Sequence, residues 1–182
     1  MELLDIVDEH GIPTGQTADR EQVHALGLRH RTSHVWLARR REGKVQLLLQ
    51  KRSMQKDSYP GCYDISSAGH IPAGQDFVTS ALRELKEELG QTAHAEDLIF
   101  CGQRNFHLDA EFHGKPFHDE QVSNVYLLWL DQEPESFTLQ AEEVSEVRWF
   151  DFDNCLDAIA TGEFDTCIYT EELEMLRKVV EN

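Results

Sequence analysis

The chain has 182 residues, 40% of them hydrophobic and 28% charged, which suits one globular domain carrying an additional N-terminal element. Its net charge of −17 argues against a nucleic-acid polymer as partner, because such binders neutralise phosphates with Lys and Arg. No apolar run approaches the roughly 18 residues of a membrane span, and the acidic N-terminus MELLDIVDEH lacks the basic and apolar regions of a signal peptide, so no membrane association and a cytoplasmic location are expected.

Residues 2–8 read as a short strand, the following EHGIPTG as a turn, and residues 19–26 as a short helix ended by Gly27. Strands are expected at 32–38 and 45–50, joined by a charged hairpin turn at 39–43. A loop over 54–63, punctuated by Pro60 and Gly61, leads to a strand at 64–68. A helix is expected from Phe77 to Leu89, with Asp76 as its N-cap and Gly90 as its terminator. Further strands follow at 98–105, 122–130 and 144–150, then helices at 154–159 and 170–180. Residues 106–119 between two of those strands (FHLDAEFHGKPFHD) read as a loop whose His and Phe side chains could contact a leaving group. The mixture implies an α+β or mixed-sheet layered domain. The four cysteines, Cys62, Cys101, Cys155 and Cys167, show neither a C-x-x-C pair nor zinc spacing and are expected as reduced thiols.

The helix over 77–89 carries the chemistry. At about 100° per residue, Val78, Ala81, Leu82, Leu85 and Leu89 form an apolar stripe, and Glu84, Glu87 and Glu88 fall in a wedge beside it. Like charges at i, i+4 repel by a few tenths of a kcal/mol. A hard divalent cation among them removes that conflict, and Mg²⁺ prefers carboxylate and phosphate oxygens. Arg83 can reach Glu87 or orient Glu84, and the Gly- and Pro-rich loop before the helix lets backbone approach a phosphate or a metal.

The stretch 69–90 (GHIPAGQDFVTSALRELKEELG) resembles the Nudix box, G-x5-E-x7-R-E-U-x-E-E-x-G-U with U apolar, through Gly69, Arg83, Glu84, Leu85, Glu87, Glu88 and Gly90. The resemblance implies an αβα sandwich around a mixed sheet. Residues 1–28 would then be an N-terminal strand and helix extension, and 29–182 the Nudix hydrolase domain. It implies Mg²⁺, with Mn²⁺ as the alternative, held by Glu84, Glu87, Glu88 and the backbone carbonyl near Gly69, and Arg83 as their orienting cation. Glu84 and Glu120 are the implied candidates for a general base. The implied activity is hydrolysis of a diphosphate linkage in a small molecule such as a nucleoside-diphosphate derivative, and a homodimer is compatible with it. Gln75 stands where the box has its first Glu and Gln91 replaces its last apolar residue, so a catalytically weak ligand-binding protein is one alternative.

Beyond the box, DIVDEHGIPTGQTADRE, LRHRTSHVWL and QKRSMQKDSYPGCYDISSAGH resemble the Nudix branch related to isopentenyl-diphosphate isomerase. Isomerisation is therefore the second alternative. Three features argue against it: Ala68 replaces the catalytic Cys of a C-G-H motif, Gln121 falls on the acid/base Glu, and the R-E-U-x-E-E pattern is complete. Arg52 and Lys56 resemble the basic pair that grips the diphosphate, and His70 is a further substrate contact. His30, His34 and His70 resemble metal-site positions of the isomerase. Without its Cys and Glu, satisfied polar or core histidines are the expectation. Trp36, Trp129 and Trp149 are expected in the core.

Overall fold

A computed structural model describes residues 2–181. The chain opens with an antiparallel hairpin of β1 (Leu3–Val7) and β2 (Pro13–Asp19). The turn expected over 9–15 is shorter than that. Asp8 Oδ1 accepts from the amides of His10 and Ile12, both at 2.9 Å, which closes the reversal and frees the chain from Pro13 onward to pair with β1. Helix α1 (Arg20–Leu26) follows, capped by the Asp19 carboxylate on Gln22 N and ended by Gly27 at φ 62°.

Seven strands form one mixed sheet: β3 (His30–Arg41), β4 (Lys44–Arg52), β5 (Tyr63–Asp64), β6 (Ser67–His70), β7 (Ile99–Phe112), β8 (Lys115–Trp129) and β9 (Val144–Asp151). β3 runs parallel to β8. Its other edge is shared: residues 38–41 pair with β4, and residues 32–35 pair with β6. β3 and β4 therefore splay apart, and β5 and β6 fill the opening. Ser66 bridges the wedge. Its hydroxyl donates to Leu48 O at 2.5 Å and accepts from Leu37 N at 2.8 Å, so backbone groups the splay would orphan are satisfied. This is why residues 64–68, expected as one strand, are divided between β5 and β6.

The β3–β4 turn is only Glu42 and Gly43, at φ 54° and 77°, and the arginines expected in it extend β3. The β7–β8 turn is His113 and Gly114, at φ 52° and 73°. Both are two-residue reversals with left-handed residues, the geometry that suits the twist of a hairpin. Residues 106–119 are therefore two long paired strands rather than a loop.

Helix α2 (Phe77–Leu89) covers one face of the sheet. Its Ala81, Leu85 and Leu89 pack with Val35, Leu37, Leu48, Tyr126 and Leu128. Helices α3 (Phe152–Thr161) and α4 (Thr170–Val180) cover the other, where Cys155, Leu173 and Leu176 meet the fully buried Trp36, Leu47, Leu49 and Leu127. The architecture is an α+β sandwich around a mixed sheet. Trp129 and Trp149 are half-buried against the two cores. All four cysteines are free.

Candidate metal-binding active site

α2 begins and ends where its caps place it. Asp76 accepts from Thr79 N, and Gly90 at φ 67° donates back to the last turn. Its buried face differs from the expected stripe: Val78 and Leu82 are only half-buried, and Ser80 and Glu88 are buried with Ala81, Leu85 and Leu89. Glu88 fits there because β6 opposite it offers donors and small residues. Its Oε2 accepts from Ala68 N and from Gln50 Nε2, both at 3.3 Å. Ser67 on the same strand is fully buried.

Glu84 sits one turn earlier against Gly69. A Cβ on Gly69 would overlap the Glu84 carboxyl group, so only glycine admits this approach. Burial pushes the Glu84 carboxyl up to about 7 against the opposing Arg83 charge, with Glu87, Glu2 and Glu143 adding to the rise. Burial likewise pushes Glu88 up to about 8. Arg83 links three parts of the motif. It reaches Glu84 Oε1 at 2.7 Å, Glu87 Oε2 at 3.6 Å and the carbonyl of His70 at 3.3 Å. Glu87 is the outermost of the three carboxylates, its side chain 53% exposed. Two buried, closely set carboxylates that resist ionisation alone fit a hard divalent cation. Gln75 stands outside this group. Its side chain meets Ser80 at 3.3 Å and its carbonyl accepts from Arg31 at 2.9 Å.

The basic residues expected to grip a diphosphate are both engaged. Arg52 pairs with Asp64 Oδ2 at 2.9 Å and with the carbonyl of Ser58, which pins the 53–62 loop. Lys56 pairs with Glu143. Glu143 carries no motif signal in the sequence. It arrives because residues 138–144 bind the end of α2, through Thr138 N to Leu89 O and Gln140 N to Glu88 O. Glu120 faces elsewhere: its carboxylate meets His107 at 2.7 Å and Arg29 at 3.6 Å. Among the described residues no contact joins it to Glu84, Glu87 or Glu88.

A second cluster lies at the end of β3. His24 from α1, His30 and His70 converge with ring centroids 5.1–5.2 Å apart, and one ligand atom from each lies within 4.8 Å of the others. His24 Nδ1 bonds Arg20 O at 2.9 Å and His30 Nδ1 bonds Leu28 O at 3.0 Å, which places the proton on Nδ1 and leaves each Nε2 a lone pair. Nε2 of all three histidines, and Asp119 Oδ1, are buried without partners. Asp119 Oδ1 lies 3.6 Å from His30 Nε2 and 3.8 Å from His24 Nε2. Desolvation holds His30 down at about 4, lowers His24 and His70, and pushes Asp119 up to about 6. The Nε2 atoms of His30 and His70 are thus buried but not satisfied, contrary to expectation. His34 is satisfied elsewhere, on Glu172 Oε1 at 2.7 Å, and His24 is the third histidine of the cluster. Gln121 holds Asp119 Oδ2 at 2.7 Å, and Ala68 packs into the apolar core.

Residues 28–166 match the protein-family model described as NUDIX domain. An uncharacterized Nudix hydrolase of Clostridium acetobutylicum is 40% identical over 79% of this chain and 66% of its own length. Nudix hydrolase 3 of Arabidopsis thaliana is 43% identical over 84% of this chain and 19% of its own length. The chain therefore covers less than two thirds of either relative. The crystal structure of DR0079 from Deinococcus radiodurans superposes with a TM-score of 0.67 over 97% of this chain and 98% of that one, at 19% identity, which speaks for the fold. No described helix is long and apolar enough to cross a membrane.

Proposed function

The chain belongs to the Nudix family of hydrolases acting on pyrophosphate bonds, and on that premise we propose that it hydrolyses the diphosphate linkage of a small molecule, such as a nucleoside-diphosphate derivative, with Mg²⁺. The observation that carries this reading is the burial of Glu84 and Glu88 side by side against Gly69 and Ala68. Glu84, Glu88 and the more exposed Glu87 would hold the ion, with the backbone carbonyl at Gly69 a further ligand; Mn²⁺ suits the same oxygens. When bound, a divalent ion neutralises diphosphate charge and lowers the pKa of a coordinated water.

The chain's own residues do the rest. Arg83 bridges Glu84 and Glu87 and ties both to the strand end at His70. In this reading Arg52 and Lys56 would meet the diphosphate as its cationic partners, with His70 a further contact. Lys56 must exchange Glu143 for a phosphate, and that exchange frees a carboxylate beside Glu84. Glu143 and Glu84 are accordingly the favoured general bases, ahead of Glu120. Isomerisation is disfavoured by Ala68, which has no proton to give, and by the amide of Gln121. The test is release of a phosphomonoester from a panel of diphosphate compounds: turnover that needs Mg²⁺ and fails in Glu84→Gln supports the reading, and metal-independent turnover sinks it.

A specific observation favours a second ion. His24, His30, His70 and Asp119 offer three neutral imidazoles and a carboxylate, each with one buried atom that has no hydrogen-bond partner. That donor set suits a transition metal such as Zn²⁺ or Mn²⁺ rather than Mg²⁺. The carbonyls of Arg20 and Leu28 would fix the ring orientations. An extension over residues 1–28 would then contribute His24 to the 29–182 domain. A homodimer, a cytoplasmic location and a small diphosphate as partner complete the proposal.

A further inference from the structure

Residues 71–76 join β6 to α2, and three of their amides and one of their carbonyls are held from outside the motif. Ile71 N donates to Arg31 O at 3.0 Å. Ala73 N donates to Leu3 O at 2.8 Å, and Leu4 forms a bridge with Pro72. Gly74 N donates to Asp5 Oδ2 at 2.8 Å. Gln75 O accepts from Arg31 Nη2 at 2.9 Å, and that same nitrogen donates to Asp5 Oδ2 at 2.9 Å. One guanidinium nitrogen and one carboxylate oxygen thus close a ring through Gly74 and Gln75. The pair is nearly dry, with side chains 8% and 13% exposed. Arg31 also lies over the Phe77 ring at 5.4 Å, and its neighbour Ser33 donates to Phe77 O at 2.6 Å, so the clamp reaches the first residue of α2.

We propose that Asp5 and Arg31 are positioning residues that fix the carboxylate helix over β6, making the β1–β2 hairpin part of the catalytic apparatus. The argument is one of tolerance. Buried ion pairs are expensive to desolvate and are often no more stabilising than apolar residues of the same size. This one spans the loop whose path sets where α2 begins. Glu84 lies about two turns farther on, and it has no spare room against Gly69. Metal and catalytic groups must be held within about 0.5 Å of their working geometry. Asp5 lies outside residues 28–166, so half of the clamp comes from outside the matched domain. The inference rests on the hydrolase reading above.

The test compares Asp5→Ala, Asp5→Asn and Arg31→Lys with the parent in the full chain, at a temperature where circular dichroism shows every variant folded. Mn²⁺ affinity, read by electron paramagnetic resonance with His30→Ala present throughout to remove the histidine cluster, should weaken several-fold in Asp5→Ala and Arg31→Lys. Their kcat should fall roughly tenfold to a hundredfold with KM within about twofold. Asp5→Asn keeps an acceptor for Gly74 N–H and should be intermediate. Parent-like Mn²⁺ affinity and kcat in folded Asp5→Ala overturn the proposal, and where that variant does not fold, parent-like values in Arg31→Lys do the same. Glu88→Gln separates the two levels. If it turns over normally, the hydrolase reading falls and the clamp falls with it. If it is inactive while Asp5→Ala is normal, only the clamp falls.

Discussion

Glu84 rests on Gly69 so closely that any Cβ on residue 69 would overlap its carboxyl group. The contact joins the helix that carries the acidic cluster to the strand that carries His70. Gly69→Ala must therefore displace either Glu84 or β6. Overpacking of this kind costs about 1–3 kcal/mol. Turnover should fall at least about tenfold, because small shifts of ligand groups are strongly felt. Thermal melting and steady-state kinetics check both numbers, and an alanine variant with full activity would show that Glu84 does not need this seat.

The histidine cluster should bind a transition metal independently of substrate. Added Zn²⁺ should raise the melting temperature of protein stripped with EDTA, since a ligand of the native state stabilises it in proportion to its affinity. His30→Ala should remove that rise while leaving the Mg²⁺ response of the carboxylate cluster intact. Elemental analysis of the two purified proteins gives the same answer by stoichiometry. Equal metal content in both would assign the ion elsewhere.

Glu172 should make stability acid-sensitive. It is buried on α4 and accepts from His34 Nδ1, Trp36 Nε1 at 2.8 Å and Arg104 NH1 at 3.1 Å, with the Cys101 thiol also near. Burial acts to raise its carboxyl, but the His34 and Arg104 partners outweigh burial and hold it below the usual range. A depressed folded pKa contributes stability above the unfolded value, about 4.3, and that stability is lost as pH falls through the folded value. Glu172→Gln should cost about 3–5 kcal/mol at pH 7 by leaving Arg104 unpaired. The gap to the parent should narrow at acid pH. Denaturant unfolding across the pH range decides it, and parallel curves would contradict the assignment.

The parts legible in the sequence are those with local signals. Asp76 and Gly90 bound α2 because capping chemistry is local. Gly69, Arg83, Glu84, Glu87 and Glu88 come together because one helix and one strand end carry them all. The misread parts depend on partners far away in the chain. Leu82 gives way to Glu88 in the buried row only because Ala68 N and Gln50 wait opposite. Residues 106–119 look like a loop by composition, yet each strand of that hairpin completes the other.

His34 and Glu120 lie apart from the two clusters for a geometric reason. His30 and His34 share a face of β3, but four residues of strand separate them by roughly 13 Å, too far for one ion. His24, on a helix, closes that gap. Glu120 alternates with Asp119 and Gln121 along β8, so adjacency in sequence sends it to the opposite face. Glu143 could not be found from a motif, because only the docking of residues 138–144 on α2 brings it near Glu84.

The central claim is that buried Glu88 and Glu84 hold the ion that hydrolyses a diphosphate. The most direct measurement is Mg²⁺-dependent phosphomonoester release from nucleoside-diphosphate derivatives by the parent and by Glu88→Gln, side by side. The account predicts turnover by the parent only with the divalent ion present, and a loss of about a hundredfold or more in a variant that folds normally. Equal turnover by the two proteins, or no release by the parent from any compound in the panel, would contradict it.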